Sequence, residues 1–162
     1  MPHSSEWQAA FAAERGRLQA LLGTLASAIE HVGSTAVADL PAKPIIDIAV
    51  AANLAATFDR INSILLANEY IYMKDAGNDG GHIFVREPYA DVRTHHLHLI
   101  DADDAQWANY LSFRDLLRND AGIRQRYAEL KAALAAEFYD DREAYTAAKT
   151  EFIAEVLGAS RV

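Results

Sequence analysis

The chain switches between two hydrophobic periods. From Trp7 to Leu22, apolar residues (Trp7, Phe11, Leu18, Leu22) recur at helical spacing. Ser4 or Ser5 precedes them as a cap and Gly23 follows as a stop. Two short apolar runs come next, Ile29 to Val32 and Ile45 to Val50, and read as strands joined by a loop. Asn53 is a good cap for a helix through about Ala67, with Leu54, Phe58, Ile61 and Leu65 on one stripe. Tyr70 to Lys74 and His82 to Arg86 read as a hairpin around the turn signal Gly77-Asn78-Asp79-Gly80-Gly81. Pro88 breaks the pattern, and Thr94 to Ile100 reads as a further strand.

From Asp103 onward the period is helical throughout. The expected helices cover about 104–117, 120–138 and 141–157, the first capped by Asp103. Their stripes are Trp107, Tyr110 and Leu111, then Ile123, Tyr127, Leu130 and Leu134, then Tyr145, Phe152 and Val156. Together the elements predict an α+β fold: a small, mixed or mostly antiparallel sheet with helices packed on one face. The expected organisation is a single domain over 1–162. Residues 1–102 would hold the sheet, and 103–162 would form a C-terminal helical segment packed on it.

Side chains alternate along a strand. In the second apolar run Ile46, Ile48 and Val50 therefore share one face, and Ile45, Asp47 and Ala49 the other. A carboxylate in so apolar a run is either a structural acceptor or a site residue, and Asp47 stays open between the two. Just before it, Gly33 has no Cβ to keep a ligand from the backbone. Exposed N–H groups with the hydroxyls of Ser34 and Thr35 suit an anion such as phosphate.

Two cations fall where the helical projection expects apolar residues. At roughly 100° per residue, Arg114 lies in line with Trp107, Tyr110 and Leu111. Lys149 lies inside the stripe of Tyr145, Phe152 and Val156. Each is either a snorkelling side chain or internal ion pair, or a contact for an anionic ligand. Lys43, Arg86 and Arg93 are further cationic candidates.

The histidines form a second cluster. His96 and His98 share one strand face with Ile100, while Leu97 and Leu99 share the other. An H-x-H pair can supply two metal ligands, with Asp47 as the candidate third. A general base, a phosphate contact or a structural hydrogen bond are the alternatives. His31 and Glu30 are further candidates; they lie on opposite faces of the first strand, so at most one of them is expected to face the site.

Composition narrows the function classes. The 162 residues carry a formal net charge of −8 and no cysteine. The charge argues against non-specific nucleic-acid binding, which needs a basic face, and the lack of cysteine excludes disulfides and thiolate zinc sites. The start MPHSSEWQ does not read as a signal peptide, and no apolar run approaches the length of a membrane span. A soluble cytoplasmic protein is expected.

The segments His31-Val-Gly-Ser-Thr-Ala-Val, Pro41-Ala-Lys-Pro-Ile-Ile-Asp47-Ile and His96-Leu-His98-Leu are followed by Phe113-Arg-Asp-Leu-Leu-Arg118 and Tyr127-Ala-Glu-Leu-Lys131, then by Tyr145, Lys149 and Phe152-Ile153. In that order, over nearly the whole chain, they resemble the GrpB family. The resemblance implies a nucleotidyltransferase-like fold. Some members are fused to dephospho-CoA kinase, an activity that needs a P-loop of the form G-x-x-x-x-G-K-[ST], which this sequence does not contain.

The nucleotidyltransferase superfamily uses a Gly-Ser turn on the nucleotide phosphates, an Asp-x-Asp or Asp-x-Glu pair on the next strand, and often a third acid on a later strand. The acids hold two divalent metals. Here Gly33-Ser34 falls at the turn and Asp47 at the first acid. Ala49 stands at the second acid position, and His96 or His98 at the third. The resemblance thus implies catalytic roles for Asp47, His96 and His98, with Mg²⁺ on Asp47 and His98. Gly33, Ser34, Thr35, Lys43, Arg114 and Lys149 would contact phosphate. The expected partner is a small anionic ligand, with a nucleoside triphosphate foremost, and neither nucleic acid nor membrane. The leading function is transfer of a nucleotidyl or phosphoryl group to a small acceptor. The alternative, resting on Ala49, is a non-catalytic nucleotide- or anion-binding domain. An H-x-H metal-dependent hydrolase and a ligand-free interaction protein are the remaining readings.

Overall fold

A computed structural model describes residues 1–73 and 81–160. Residues 77–80 of the expected 77–81 turn, and Lys74, fall outside the described residues. Five strands form one sheet in the order β1-β2-β5-β4-β3. They are β1 Ala28–Val32, β2 Ile46–Ala52, β3 Tyr70–Met73, β4 Gly81–Arg86 and β5 His95–Asp101. Only β2 and β5 pair in parallel; the other neighbours are antiparallel. The helices are α1 Glu6–Leu22, α2 Leu54–Leu66, α3 Ala105–Asn119, α4 Ala121–Glu137 and α5 Arg142–Ser160. No helix among the described residues is long and apolar enough to cross a membrane.

The chain divides into two compact units, Met1–Leu111 and the residues from Ser112 onward. In the first, one sheet face is the main core. Ile46, Ile48 and Val50 of β2 and Leu97 and Leu99 of β5 meet Trp7, Leu18 and Leu22 of α1 and Ile61 and Leu65 of α2. The predicted alternation of β2 and β5 is the reason. With β2 and β5 in parallel register, two separate apolar stripes become one continuous surface. The opposite face is covered in part by the start of α3, where Trp107, Tyr110 and Leu111 pack against Val32, Ala49 and Ile100. Helices thus lie on both faces of the sheet, not on one alone.

The caps differ from the simplest expectation. Asn53 precedes α2 but makes no side-chain cap bond. The Leu54 N–H donates instead to Asp101 Oδ2, 3.1 Å away at the end of β5. Asp104, rather than Asp103, caps α3 by accepting from the Gln106 N–H at 2.8 Å. Asp120 and Asp141 cap α4 and α5 in the same way. In the second unit Tyr127 stacks on Phe152, with Phe113 edge-on to Tyr127.

The core face of the first unit also holds a charge. Glu14 lies inside the apolar stripe of α1 and is 3% exposed. Its Oε1 accepts from Tyr70 Oη at 2.7 Å and from Arg17 at 2.9 Å, and its Oε2 accepts from Arg86 at 2.9 Å. Arg86 also holds Glu69, whose carboxyl it keeps below the usual range. Burial, followed by the Glu14 charge, pushes the Tyr70 phenol well up. Such a carboxylate is tolerated because its oxygens are met by cations and a hydroxyl.

Replacing Glu14 by Gln removes the buried charge that Arg17 and Arg86 share and leaves them only the exposed carboxylate of Glu69, so a loss of about 3 kcal/mol is expected, read as a urea midpoint shift at constant slope. A change below about 1 kcal/mol would show that the network is screened by solvent. A second expectation concerns His95, which is buried, its pKa lowered chiefly by that burial. The unfolded chain then takes up the proton first. Stability should therefore fall as pH drops through about 6.5 and level off below the folded value. His95→Gln should flatten that fall; an unchanged pH profile of the thermal midpoint would contradict it.

Candidate functional site

The parallel register places Asp47 beside His96 and Ala49 beside His98, with all four side chains on the face opposite the main core. On the other flank of β2, the antiparallel register puts Val32 opposite Asp47 and Glu30 opposite Ala49. Glu30 is therefore the residue of the Glu30–His31 pair on this face. His31 points into the core, stacked on Phe11 at 4.6 Å with its Nε2 2.9 Å from Thr35 Oγ1. Thr35, expected at phosphate, is 1% exposed with its hydroxyl facing His31.

Asp47 is the centre of the arrangement. His98 Nε2 lies 3.3 Å from its Oδ1, and His96 Nδ1 lies 3.6 Å from the same oxygen. Asp47 is 27% exposed and His98 15%. On its other ring nitrogen, His98 Nδ1 meets Tyr110 Oη of α3 at 3.3 Å. By spacing alone Tyr110 belongs to an apolar stripe. Its hydroxyl could not be paired with His98 without knowing that α3 returns over β2 and β5.

The turn after β1 presses directly on this carboxylate. Gly33 has φ 73° and ψ −174°, a conformation reserved for glycine. A Cβ there would stand 2.5 Å from Asp47 Oδ2. The reason for glycine is thus twofold, backbone angle and the closeness of Asp47. Ser34 follows at the start of a single 3₁₀ turn and is half-buried. Lys43 is exposed in the loop before β2. Arg86 and Arg93 are bound to carboxylates, Arg86 to Glu14 and Glu69 and Arg93 to Glu87 at 3.0 Å.

Arg114 and Lys149 belong to the second unit. Arg114 is 12% exposed, with Nε 2.9 Å from Asp115 Oδ1. The half-buried Lys149 lies over the Tyr145 ring, 5.4 Å from its centroid.

No group of three or more His, Asp or Glu side chains among the described residues is placed to hold a metal ion. Mg²⁺ takes oxygen ligands in near-octahedral array. Here Asp47 Oδ1 is turned toward two imidazoles, and Ala49, fully buried under Trp107, Tyr110 and Leu111, stands where a second acid on β2 would be. Glu30 approaches from the neighbouring strand. These residues do not fit a resident two-metal centre.

Gly33→Ala is expected to cost about 1–3 kcal/mol from its backbone conformation alone. The contact with Asp47 should add to that and displace the carboxylate. A denaturation midpoint within error of wild type would show that the turn relaxes freely.

Comparison with known proteins bears on the family and the fold. The profile of the GrpB protein family matches residues 1–159. A UPF0157 protein of Pseudomonas aeruginosa is 40% identical over 160 residues, covering 98% of this chain and 65% of that protein. The glutamate-rich protein GrpB of Alkalihalophilus pseudofirmus is 31% identical over 160 residues, covering 96% of this chain and 91% of its own length. The chain therefore spans about two thirds of the first of these relatives and most of the second. Among solved structures, GrpB from Enterococcus faecalis matches with a TM-score of 0.78 and 29% identity, over 97% of this chain and 98% of that one. The Cid1 poly(U) polymerase matches with a TM-score of 0.55 and 16% identity, over 83% of this chain and 43% of its own. That likeness shows a nucleotidyltransferase-like fold and no more. By the match to nearly all of its residues, the chain is a member of the GrpB family.

Proposed function

We propose that this protein is a transferase of the nucleotidyltransferase type, moving a nucleotidyl or phosphoryl group from a nucleoside triphosphate to a small acceptor. The observation that carries the reading is the contact between Asp47 and the Gly33–Ser34 turn. The Asp47 carboxylate stands where a side chain on Gly33 would have to go. Fold likeness alone does not fix an activity; this contact joins the residue types and the place that phosphoryl chemistry needs. Ser34 and Lys43 are assigned to the triphosphate. Asp47 accepts the proton of the acceptor hydroxyl as its oxygen attacks phosphorus. The bond from phosphorus to the leaving pyrophosphate, or nucleoside diphosphate, breaks in the same displacement. Mg²⁺ is assigned to the triphosphate as the magnesium–nucleotide substrate, because the protein's own residues do not fit a resident pair. The formal net charge of −8 favours a small acceptor over a nucleic acid, and the use of a nucleoside triphosphate suits a cytoplasmic setting.

Ala49 favours a second reading. A second acid position filled by a buried methyl group suits a domain that binds a nucleotide without turning it over.

Calorimetric titration of MgATP and the other nucleoside triphosphates into wild type and Asp47→Asn, with a parallel assay for pyrophosphate release, separates the two. Turnover lost at least a hundredfold in Asp47→Asn supports the transferase. Binding without turnover, unchanged in Asp47→Asn, supports the binding domain. Absence of binding by every nucleotide would reject both.

A further inference from the structure

His98 has both ring nitrogens engaged, Nε2 toward Asp47 Oδ1 and Nδ1 toward Tyr110 Oη, each at 3.3 Å. An ionised carboxylate only accepts, so the ring must present an N–H at Nε2. In the neutral imidazole the other nitrogen is then an acceptor, and the Tyr110 hydroxyl is the donor that satisfies it. The phenol ring lies over the imidazole, with centroids 5.2 Å apart and planes at 40°.

What holds Tyr110 is equally specific. It sits on α3 between Trp107 and Leu111, in the cluster that covers Val32, Ala49 and Ile100. Ala49 and His98 are direct partners in the β2–β5 register. The small side chain at 49 leaves room for an aromatic residue of α3 above the strand. The residue that removes a second acid from β2 therefore also admits Tyr110.

At the other end of this run of hydrogen bonds from Tyr110, the two oxygens of Asp47 face different surroundings. Oδ1 is turned to the histidines, and Oδ2 is the atom nearest a Cβ built on Gly33. We propose that Tyr110 is a positioning residue: through His98 it fixes the Nε2–H tautomer and the rotation of the Asp47 carboxylate, so that Oδ2 is the oxygen presented at the Gly33–Ser34 turn. The role in turnover rests on the transferase reading above; the hydrogen-bond chain itself does not.

Nitrogen-15 spectroscopy of the histidine side chains at pH 8 tests the chain of hydrogen bonds directly. In wild type, His98 Nε2 should carry the proton, and the Nδ1 resonance should show the upfield displacement of a hydrogen-bonded acceptor. Tyr110→Phe keeps the ring and removes the hydroxyl, so Nδ1 should move downfield toward the position of a free acceptor. A proton on Nδ1 in wild type, or an unmoved Nδ1 resonance in Tyr110→Phe, would overturn the inference. The wild-type spectrum decides the tautomer even if the variant does not fold.

The functional arm is a double-mutant cycle on pyrophosphate release from MgATP, with water as acceptor. Tyr110→Phe should lower kcat roughly tenfold or more and leave KM within about twofold. In a His98→Gln background it should cost nothing further. An equal loss in both backgrounds would show that Tyr110 does not act through His98. If no nucleotide is bound or turned over, the transferase reading fails, and the nitrogen-15 result still decides the positioning of His98.

Discussion

The pairing of β2 with β5 is the constraint on which the rest of the first unit depends. Among the described residues it is the one parallel pair in the sheet, and it takes in the sheet's middle strand. Parallel neighbours present matched residues on the same face, so a single register builds two surfaces at once. Ile48 with Leu97 and Val50 with Leu99 make the floor on which α1 and α2 lie. Asp47 with His96 and Ala49 with His98 make the opposite face. A slip of β5 by one residue would turn its faces over and put two imidazoles into the core, and a slip of β2 would put the carboxylate there. The hydrophobic face thereby enforces the geometry of the polar one.

Polar groups are admitted on both sides of this sheet under different terms. On the core side Glu14 is surrounded by Arg17, Arg86 and Tyr70, and all three bonds are short. The group is structural, since each partner is consumed by another. On the far side Asp47, His96 and His98 stay partly open to solvent, and the contacts between the histidines and Asp47 are longer, 3.6 and 3.3 Å. A carboxylate held by longer contacts at a partly open surface beside a glycine turn is suited to meet a ligand.

The helix caps show the same contrast between local and distant determinants. Asp120 and Asp141 cap their own helices, an interaction contained within a few residues. The start of α2 is capped by Asp101, forty-seven residues farther along the chain. Asn53, the residue suited to the role by type, makes no such bond. A carboxylate delivered by the end of β5 takes the place that local preference would give to the amide.

Much of this protein is determined by its sequence alone. The periods of Trp7–Leu22, Leu54–Leu65 and the three C-terminal stripes set the helices, because a helix must bury a stripe of its own residues. The alternation in Ile45–Val50 and Thr94–Ile100 set which side chains share a face, because a strand has no other choice. The same alternation put Asp47 apart from Ile46 and Ile48, and His96 and His98 apart from Leu97 and Leu99. Glu14 was legible in principle, as an acid within the stripe of α1, but its partners Tyr70 and Arg86 were not. What only the tertiary structure decided was which surfaces meet. The β2–β5 register brought Asp47 to the histidines, the β1 register chose Glu30 over His31, and the return of α3 set Tyr110 on His98. Each joins residues distant in sequence through burial summed over whole elements, and no local pattern carries that sum.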